Sequence, residues 1–306
     1  MNKDFSVVVP VYNSVDSLEE LFNRLKVFFE GIGKSYEVIF VEDGGTDGSW
    51  ELLKRLKESH PLLIKAIKLD RNFGQHNATL CGFEFAKGRQ IVTIDDDLQN
   101  PPEEIAKLIE TSDKQQNAVT YGIYTKKQHS FARNVLSKSV KTSSKYFHHG
   151  AENGSSFRLL DRKIVDQVLN HRINFVFIDE IISWYTDNIG FVFVKHVKRK
   201  HNSSGYSSIR LFKMAANLTY FYSNIPLKVM VYSGFIISFL SFLMAVKFII
   251  QKLYYNVPLG YTSVIVTILF STSIIVFSLG IIGGYLSRIQ TIQNNKPSYH
   301  IDKVLD

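Results

Sequence analysis

Short apolar runs alternate with helical patterns along the first part of the chain. Phe5–Val11 (FSVVVPV), Tyr36–Val41 (YEVIFV), Leu63–Leu69 and Gln90–Ile94 (QIVTI) are rich in β-branched and aromatic residues. Runs of this kind predict strands buried on both faces. After the first run, Tyr12-Asn13-Ser14 breaks the pattern, and Leu18, Leu21, Phe22 and Leu25 then share one helical face, with Ser14 or Asp16 as the capping residue. Further helices are expected over about 49–59 and 75–87. Strands alternating with helices imply an α/β fold, a mostly parallel sheet with helices on both faces.

A different pattern begins after Pro226. Val229–Ile250 is 22 residues with one charge, Lys247, and Leu259–Leu286 is 28 residues with none. About 20 apolar residues suffice to cross the ~30 Å hydrocarbon core. The short connection Gln251–Pro258 makes the two spans a helical hairpin. Ahead of them, Ile209–Leu227 places Leu211, Phe212, Ala215, Leu218, Phe221 and Tyr222 among few charges. That pattern suits an interfacial amphipathic helix or an ordinary domain helix. The expected domains are therefore 1–208, an interfacial helix 209–227, and 228–306 with its two spans and tail.

Charge orients the hairpin. Lys195, Lys198, Arg199, Lys200, Arg210, Lys213 and Lys228 precede it, Arg288, Lys296 and Lys303 follow it, and the loop between spans has one cation, Lys252. The positive-inside bias puts both termini in the cytoplasm. Phe5–Val11 is too short for a secretory segment, so the large domain is expected to remain there, on the inner membrane. Gly280 and Gly284 form a GxxxG that would admit a neighbouring helix, which suits a homo-oligomer. The net charge of +8 alone would suit nucleic acid, but no recognition motif accompanies it, and a membrane surface explains the cations equally well. Cys81 is the one cysteine, which excludes internal disulfides. His148 and His149 are adjacent and the other histidines scattered, which does not suit zinc.

In parallel sheets ligands bind beyond the carboxyl ends of the strands. Polar clusters fall at three such ends: after Val11, after Val41 (Glu42-Asp43-Gly44-Gly45) and after Ile94 (Asp95-Asp96-Asp97). In extended backbone, residues 95 and 97 point one way and 96 the other. Three adjacent acids with hard oxygen ligands suit Mg²⁺ or Mn²⁺, an ion that commonly bridges a diphosphate. No GxxxxGK[ST] and no GxGxxG after the first strand are present, so neither a P-loop nor a dinucleotide fingerprint is read.

VVVPVYN at 7–13, VEDGGTDGS at 41–49, LDRNFGQHNA at 69–78 and DDDLQNPPE at 95–103 together resemble the inverting nucleotide-sugar glycosyltransferases of the GT-A fold. With SSFRLLDR at 155–162 and the two spans, the chain is similar to the polyprenyl-phosphate glycosyltransferases, which include dolichyl-phosphate mannose synthase and the bactoprenyl glucosyltransferases. The resemblance implies that Pro10, Tyr12 and Asn13 line the base pocket and that Asp43 holds the base or ribose. It implies that Asp95 and Asp96 belong to the nucleotide-sugar site and that Asp97, with Asp95, holds the divalent ion. Gln99 would face the donor sugar, Arg71 and Asn72 would support the donor pocket, and Arg158 would contact phosphate. Members of the family commonly have Asp where this chain has Glu42, and an Asp shortly before FRL, where Glu152 is the available acid and takes the place of the base. Arg199, Ser204 and Tyr206 would close over the diphosphate; the basic run around Arg199 equally suits a lipid surface. Arg133 and Lys138 suit an anionic acceptor.

The implied reaction moves one sugar from a UDP- or GDP-sugar to polyprenyl (undecaprenyl) phosphate, inverting C1. A lipid phosphate is already anionic, so positioning and neutralisation of the departing diphosphate would carry catalysis. A processive polysaccharide synthase would need more spans and a Gln-x-x-Arg-Trp string, which this sequence lacks. A non-catalytic membrane scaffold would be expected to lose its acids, yet Asp43, Asp95 and Asp97 are in place.

Overall fold

The computed structural model describes residues 3–124, 155–170, 177–197, 260–293 and 297–306, with scattered positions between 232 and 254. The chain divides into two compact units, Met1–Gly205 together with Lys296–Asp306, and Tyr206–Asn295.

The first unit is built on an eight-stranded sheet of order β7-β5-β6-β4-β1-β2-β3-β8. Its strands are β1 (Lys3–Val11), β2 (Tyr36–Glu42), β3 (Ile64–Leu69), β4 (Gly88–Thr93), β5 (Val119–Ile123), β6 (Arg158–Asp161), β7 (Ile189–Phe193) and β8 (Ile301–Leu305). The four central strands are parallel, with Val7 level with both Val38 and Val92. β6 runs antiparallel to β4 and β5, β7 is parallel to β5, and β8 is antiparallel to β3. The helices are α1 (Val15–Gly31), α2 (Ser49–Ser59), α3 (Gln75–Phe85), α4 (Ile105–Gln115), α5 (Arg162–Leu169) and α6 (Ile178–Ser183).

Alternation along β1 separates two cores. Phe5, Val7 and Val9 pack with Leu18, Leu21, Phe22, Leu53 and Leu108, from α1, α2 and α4, on one face. Val8 packs with Ala78, Phe83, Val165 and Ile181, from α3, α5 and α6, on the other. These strands read as mostly apolar runs because both faces are covered. Gly82 lets α3 lie close on β1, since a Cβ there would stand 2.3 Å from Val8 Cγ1.

The four strands and three helices read from the pattern are present, with α3 ending at Phe85 rather than 87. The later strands carried weaker patterns. β6 has four residues and starts with a buried arginine. β8 has half-buried ends and three exposed residues between them at the sheet edge, in the stretch expected as a tail after the spans.

In the second unit, α7 runs 33 residues, Tyr261–Gln293, over most of the second expected span. Over the described residues taken alone, no helix is long and apolar enough to cross a membrane. The expected interfacial helix 209–227 lies outside the described residues, as does most of the span 229–250.

Candidate active site

The loops beyond β1, β2, β3 and β4 meet at one end of the sheet. Asp43 ties three of them together. Its backbone N–H donates to Val11 O at 2.9 Å, and its carboxylate accepts from the N–H groups of Phe73 (2.7 Å) and Gly74 (2.8 Å). Burial pushes its carboxyl up to about 6, with those two donors opposing. Gly44 has φ +68°, and a Cβ on it would lie 2.5 Å from the backbone of Arg71 and Asn72. Only glycine permits this approach of the β2 and β3 loops. Arg71 and Asn72 are exposed beside it, with the Arg71 guanidinium 5.0 Å from the Phe73 ring centre.

The β1 loop is pinned to the β2 loop. Asn13, at φ +53°, accepts from Thr46 N–H at 2.8 Å. Asp47 accepts from the N–H groups of Val15 (2.9 Å) and Ser49 (3.0 Å), holding the first turns of α1 and α2 with one carboxylate. Glu42 is 1% exposed and accepts from Gly45 N–H, while its Oε2 is buried with no hydrogen-bond partner among the described residues. Pro10 is buried at the end of β1, and Tyr12 stands 51% exposed above it.

The three aspartates follow the end of β4, with Asp96 and Asp97 in a turn, and they divide by burial. Asp96 turns inward, is 9% exposed, and accepts from Tyr12 N–H at 3.0 Å. Burial pushes its carboxyl up to about 7; hydrogen bonds from Ser14 and Tyr12 oppose this, and the charges of Asp95 and Asp97 add to it. Asp96, which the resemblance places in the donor site, holds the β1 loop there through Tyr12 N–H. Asp95 and Asp97 are half-buried. Asp95 accepts from Gln75 Nε2 at 2.6 Å and Ser156 Oγ at 2.5 Å, and Asp97 accepts from Gln99 N–H at 3.0 Å. Leu98, at φ +59° and 6% exposed, turns the chain between Asp97 and Gln99.

A second wall follows β5 and β7. Val197 N–H donates to Gln99 O at 2.9 Å, and Lys195 N–H to Glu104 Oε2 at 3.0 Å. The His196 ring lies 4.3 Å from that of Tyr124. Burial raises the Tyr124 hydroxyl; Ser155 opposes this, and the charges of Asp95 and Asp97 add to it.

Arg158 is not where the resemblance implies. It is 2% exposed and pairs with Asp179, while Tyr121 OH donates to Asp179 Oδ1 at 3.0 Å. A guanidinium enclosed in this way neutralises a buried carboxylate, and is corrected from phosphate ligand to internal counter-ion. His76 lies beside the pair, its ring tilted against that of Phe177 with centres 4.7 Å apart, and burial pushes it down to about 4. Glu152, Arg133, Lys138, Arg199, Ser204 and Tyr206 lie outside the described residues. Sequence reasoning passed over Gln75, Ser156 and Asp47, because short amides, hydroxyls and turn acids look alike until partners are known.

Among the described residues no group of three or more His, Cys, Asp or Glu could hold an ion alone. Two half-buried carboxylates fit Mg²⁺ or Mn²⁺ held jointly by protein and phosphate oxygens.

Residues 6–169, over half of this chain, match the profile described as Glycosyl transferase family 2. The chain belongs to that family. Among solved structures, mannosyl-3-phosphoglycerate synthase from Rubrobacter xylanophilus is 12% identical, with a TM-score of 0.52 over 76% of this chain and 75% of that one. It supports the same fold, the GT-A arrangement of a mostly parallel mixed sheet with flanking helices. A mannosyltransferase from Pyrobaculum calidifontis in complex with GDP-Man and Mn²⁺ is 18% identical over 70% of this chain and 61% of that one, with a TM-score of 0.49. S. aureus TarS 1-349 in complex with UDP-GlcNAc is 18% identical, with a TM-score of 0.46 over 71% of this chain and 65% of that one. This family 2 chain thus spans less than two thirds of the TarS chains it matches.

Proposed function

We propose that the protein transfers one sugar from a UDP- or GDP-sugar to polyprenyl phosphate at the inner face of a membrane, inverting C1. The observation that carries the transferase reading is the division of the aspartates, with Asp95 and Asp97 at the mouth of the site and Asp96 turned beneath it. Asp97 and Asp95 would hold Mg²⁺ or Mn²⁺, which when bound supplies positive charge for the departing diphosphate. The loop held by Asp43 shapes the nucleoside end. Gln99, fixed by Val197 N–H on its carbonyl, faces the sugar. A phosphate acceptor is anionic at neutral pH, so the site needs to orient the attacking oxygen rather than deprotonate it.

Two features support the lipid acceptor. Residues 259–286 carry no charge, and in α7 Ile268, Phe270, Ile275, Phe277 and Leu286 are 58–68% exposed. An apolar helix surface of this extent calls for a nonpolar solvent. The chain also leaves the first unit, enters the second and returns as β8, which an even number of crossings allows. The hairpin would keep donor site and tail on one side of the membrane, and Gly280 and Gly284 would admit a second copy.

Purified protein with undecaprenyl phosphate, Mg²⁺ or Mn²⁺ and a panel of labelled nucleotide sugars should give label in organic-extractable lipid with one donor. Asp97→Ala should lower this by about 10²-fold or more, and chelator should abolish it. Label confined to water-soluble products would remove the lipid acceptor, and label in polymer would favour a synthase.

A further inference from the structure

A chain of hydrogen bonds with a single polarity leads from the buried ion pair to Asp95. Arg158 donates one guanidinium N–H to Asp179 Oδ1, which also accepts from Tyr121 OH. Arg158 Nε–H donates to Thr93 Oγ1 at 3.1 Å. An arginine donates and never accepts, so the Thr93 hydroxyl must turn its own proton outward. It donates to the carbonyl of Ser156 at 2.5 Å. The Ser156 hydroxyl in turn donates to Asp95 Oδ2 at 2.5 Å, and Gln75 holds the other carboxylate oxygen. Thr93 is 2% exposed and Arg158 is buried, so water does not compete for the bond between them, while the links through Ser156 to Asp95 are half-buried.

We infer that Thr93 and Ser156 are positioning residues, through which the Arg158–Asp179 pair fixes the orientation of the Asp95 carboxylate at the donor site. The buried pair lies across β4, β5, β6 and α6, on the α3 side of the sheet. It therefore ties the rotamer of a site carboxylate to the packing of two antiparallel strands that carry no site residue of their own. Each link has one donor and one acceptor, so removing the Thr93 hydroxyl breaks the chain without adding charge. The inference rests on the reading of Asp95 as a donor-site group, and concerns how that group is held.

The test is a double-mutant cycle on the full-length protein with Thr93→Val, Asp95→Asn and their combination, with Thr93→Ser and Ser156→Ala alongside. Thr93→Val and Ser156→Ala should each lower kcat about tenfold with donor KM changed less than about twofold, since misplacing a reacting group costs rate first. Thr93→Ser should restore most of the rate. In the Asp95→Asn background, Thr93→Val should cost less than about twofold. An equal factor in both backgrounds, or no rescue by serine, would overturn the inference. The same cycle is read by thermal melting without donor. There the shift caused by Thr93→Val should differ by about 2 °C or more between backgrounds. If the wild type turns over no donor, the proposed function fails, and melting alone decides: equal shifts overturn the coupling.

Discussion

Asp43 shows how one side chain serves two ends. Its carboxylate organises the β3 loop through the N–H groups of Phe73 and Gly74, and burial holds its folded value near 6 against 3.8 when exposed. A raised carboxyl binds more protons folded than unfolded between those values. Its contribution to stability is therefore complete below about pH 4 and declines as pH rises through about 6. Asp43→Asn, which sets an amide N–H against a backbone N–H, should cost about 1–3 kcal/mol at low pH. The gap in melting temperature between wild type and variant should narrow as pH rises from about 4.5 to 7.5. A gap that widens over that range would show that the carboxylate, not the acid, is the better-held form. Asp47, by contrast, was passed over as part of a turn string. Partial burial pushes it up, but bonds from Ser49 and Val15 outweigh this and hold it below the usual carboxylate range.

At the scale of elements, β8 is the piece with the largest consequence. It covers the β3 edge, with Ala66 level with Leu305 and Lys68 with Lys303. Lys65 Nζ lies 3.2 Å from Asp306, and His300 O accepts from Asp70 N–H at 3.0 Å, at the start of the loop that carries Arg71 and Asn72. Deleting residues 297–306 should cost about 1–4 kcal/mol, from four cross-strand pairs at about 0.2–1 kcal/mol each. It should also weaken nucleotide binding more than acceptor binding. Calorimetric titration with UDP or GDP would check this; unchanged nucleotide affinity in a destabilised variant would make the strand a cover for the edge and nothing more. Nothing in the short run Ile301–Leu305 announced a strand, because an edge strand's pattern is set by the neighbour it covers.

For the whole molecule, the expectation is an integral membrane enzyme. Residues 259–286 are free of charge, and the described apolar positions of the earlier span, including Ile236, Phe239, Leu240 and Leu243, are exposed. The protein should stay with membranes after an alkaline carbonate wash and need detergent for release. Labelling of cysteines introduced in 251–258 should occur from the outer face, and labelling at the tail from the inner face. Release by carbonate, or loop and tail labelled from the same face, would contradict the hairpin.

Much was legible without coordinates. The central parallel strands could be read because burial on both faces leaves them mostly apolar, with few polar positions such as Ser6, Glu37 and Lys65. A two-residue repeat gives the alternation of half-buried Asp95 and Asp97 with buried Asp96, although the structure makes it with a turn beyond β4 rather than with extended backbone. The charge-free stretch after Gly260 was likewise plain from composition. What only the tertiary structure decided depends on partners distant in sequence. Arg158 could be a phosphate ligand or an internal counter-ion until Asp179, 21 residues on, was placed against it. Gln75 and Ser156 became site residues only when two loops brought them to Asp95. Hydrophobic periodicity is a local property and is written along the chain, whereas the partner of a buried charge is chosen by the fold.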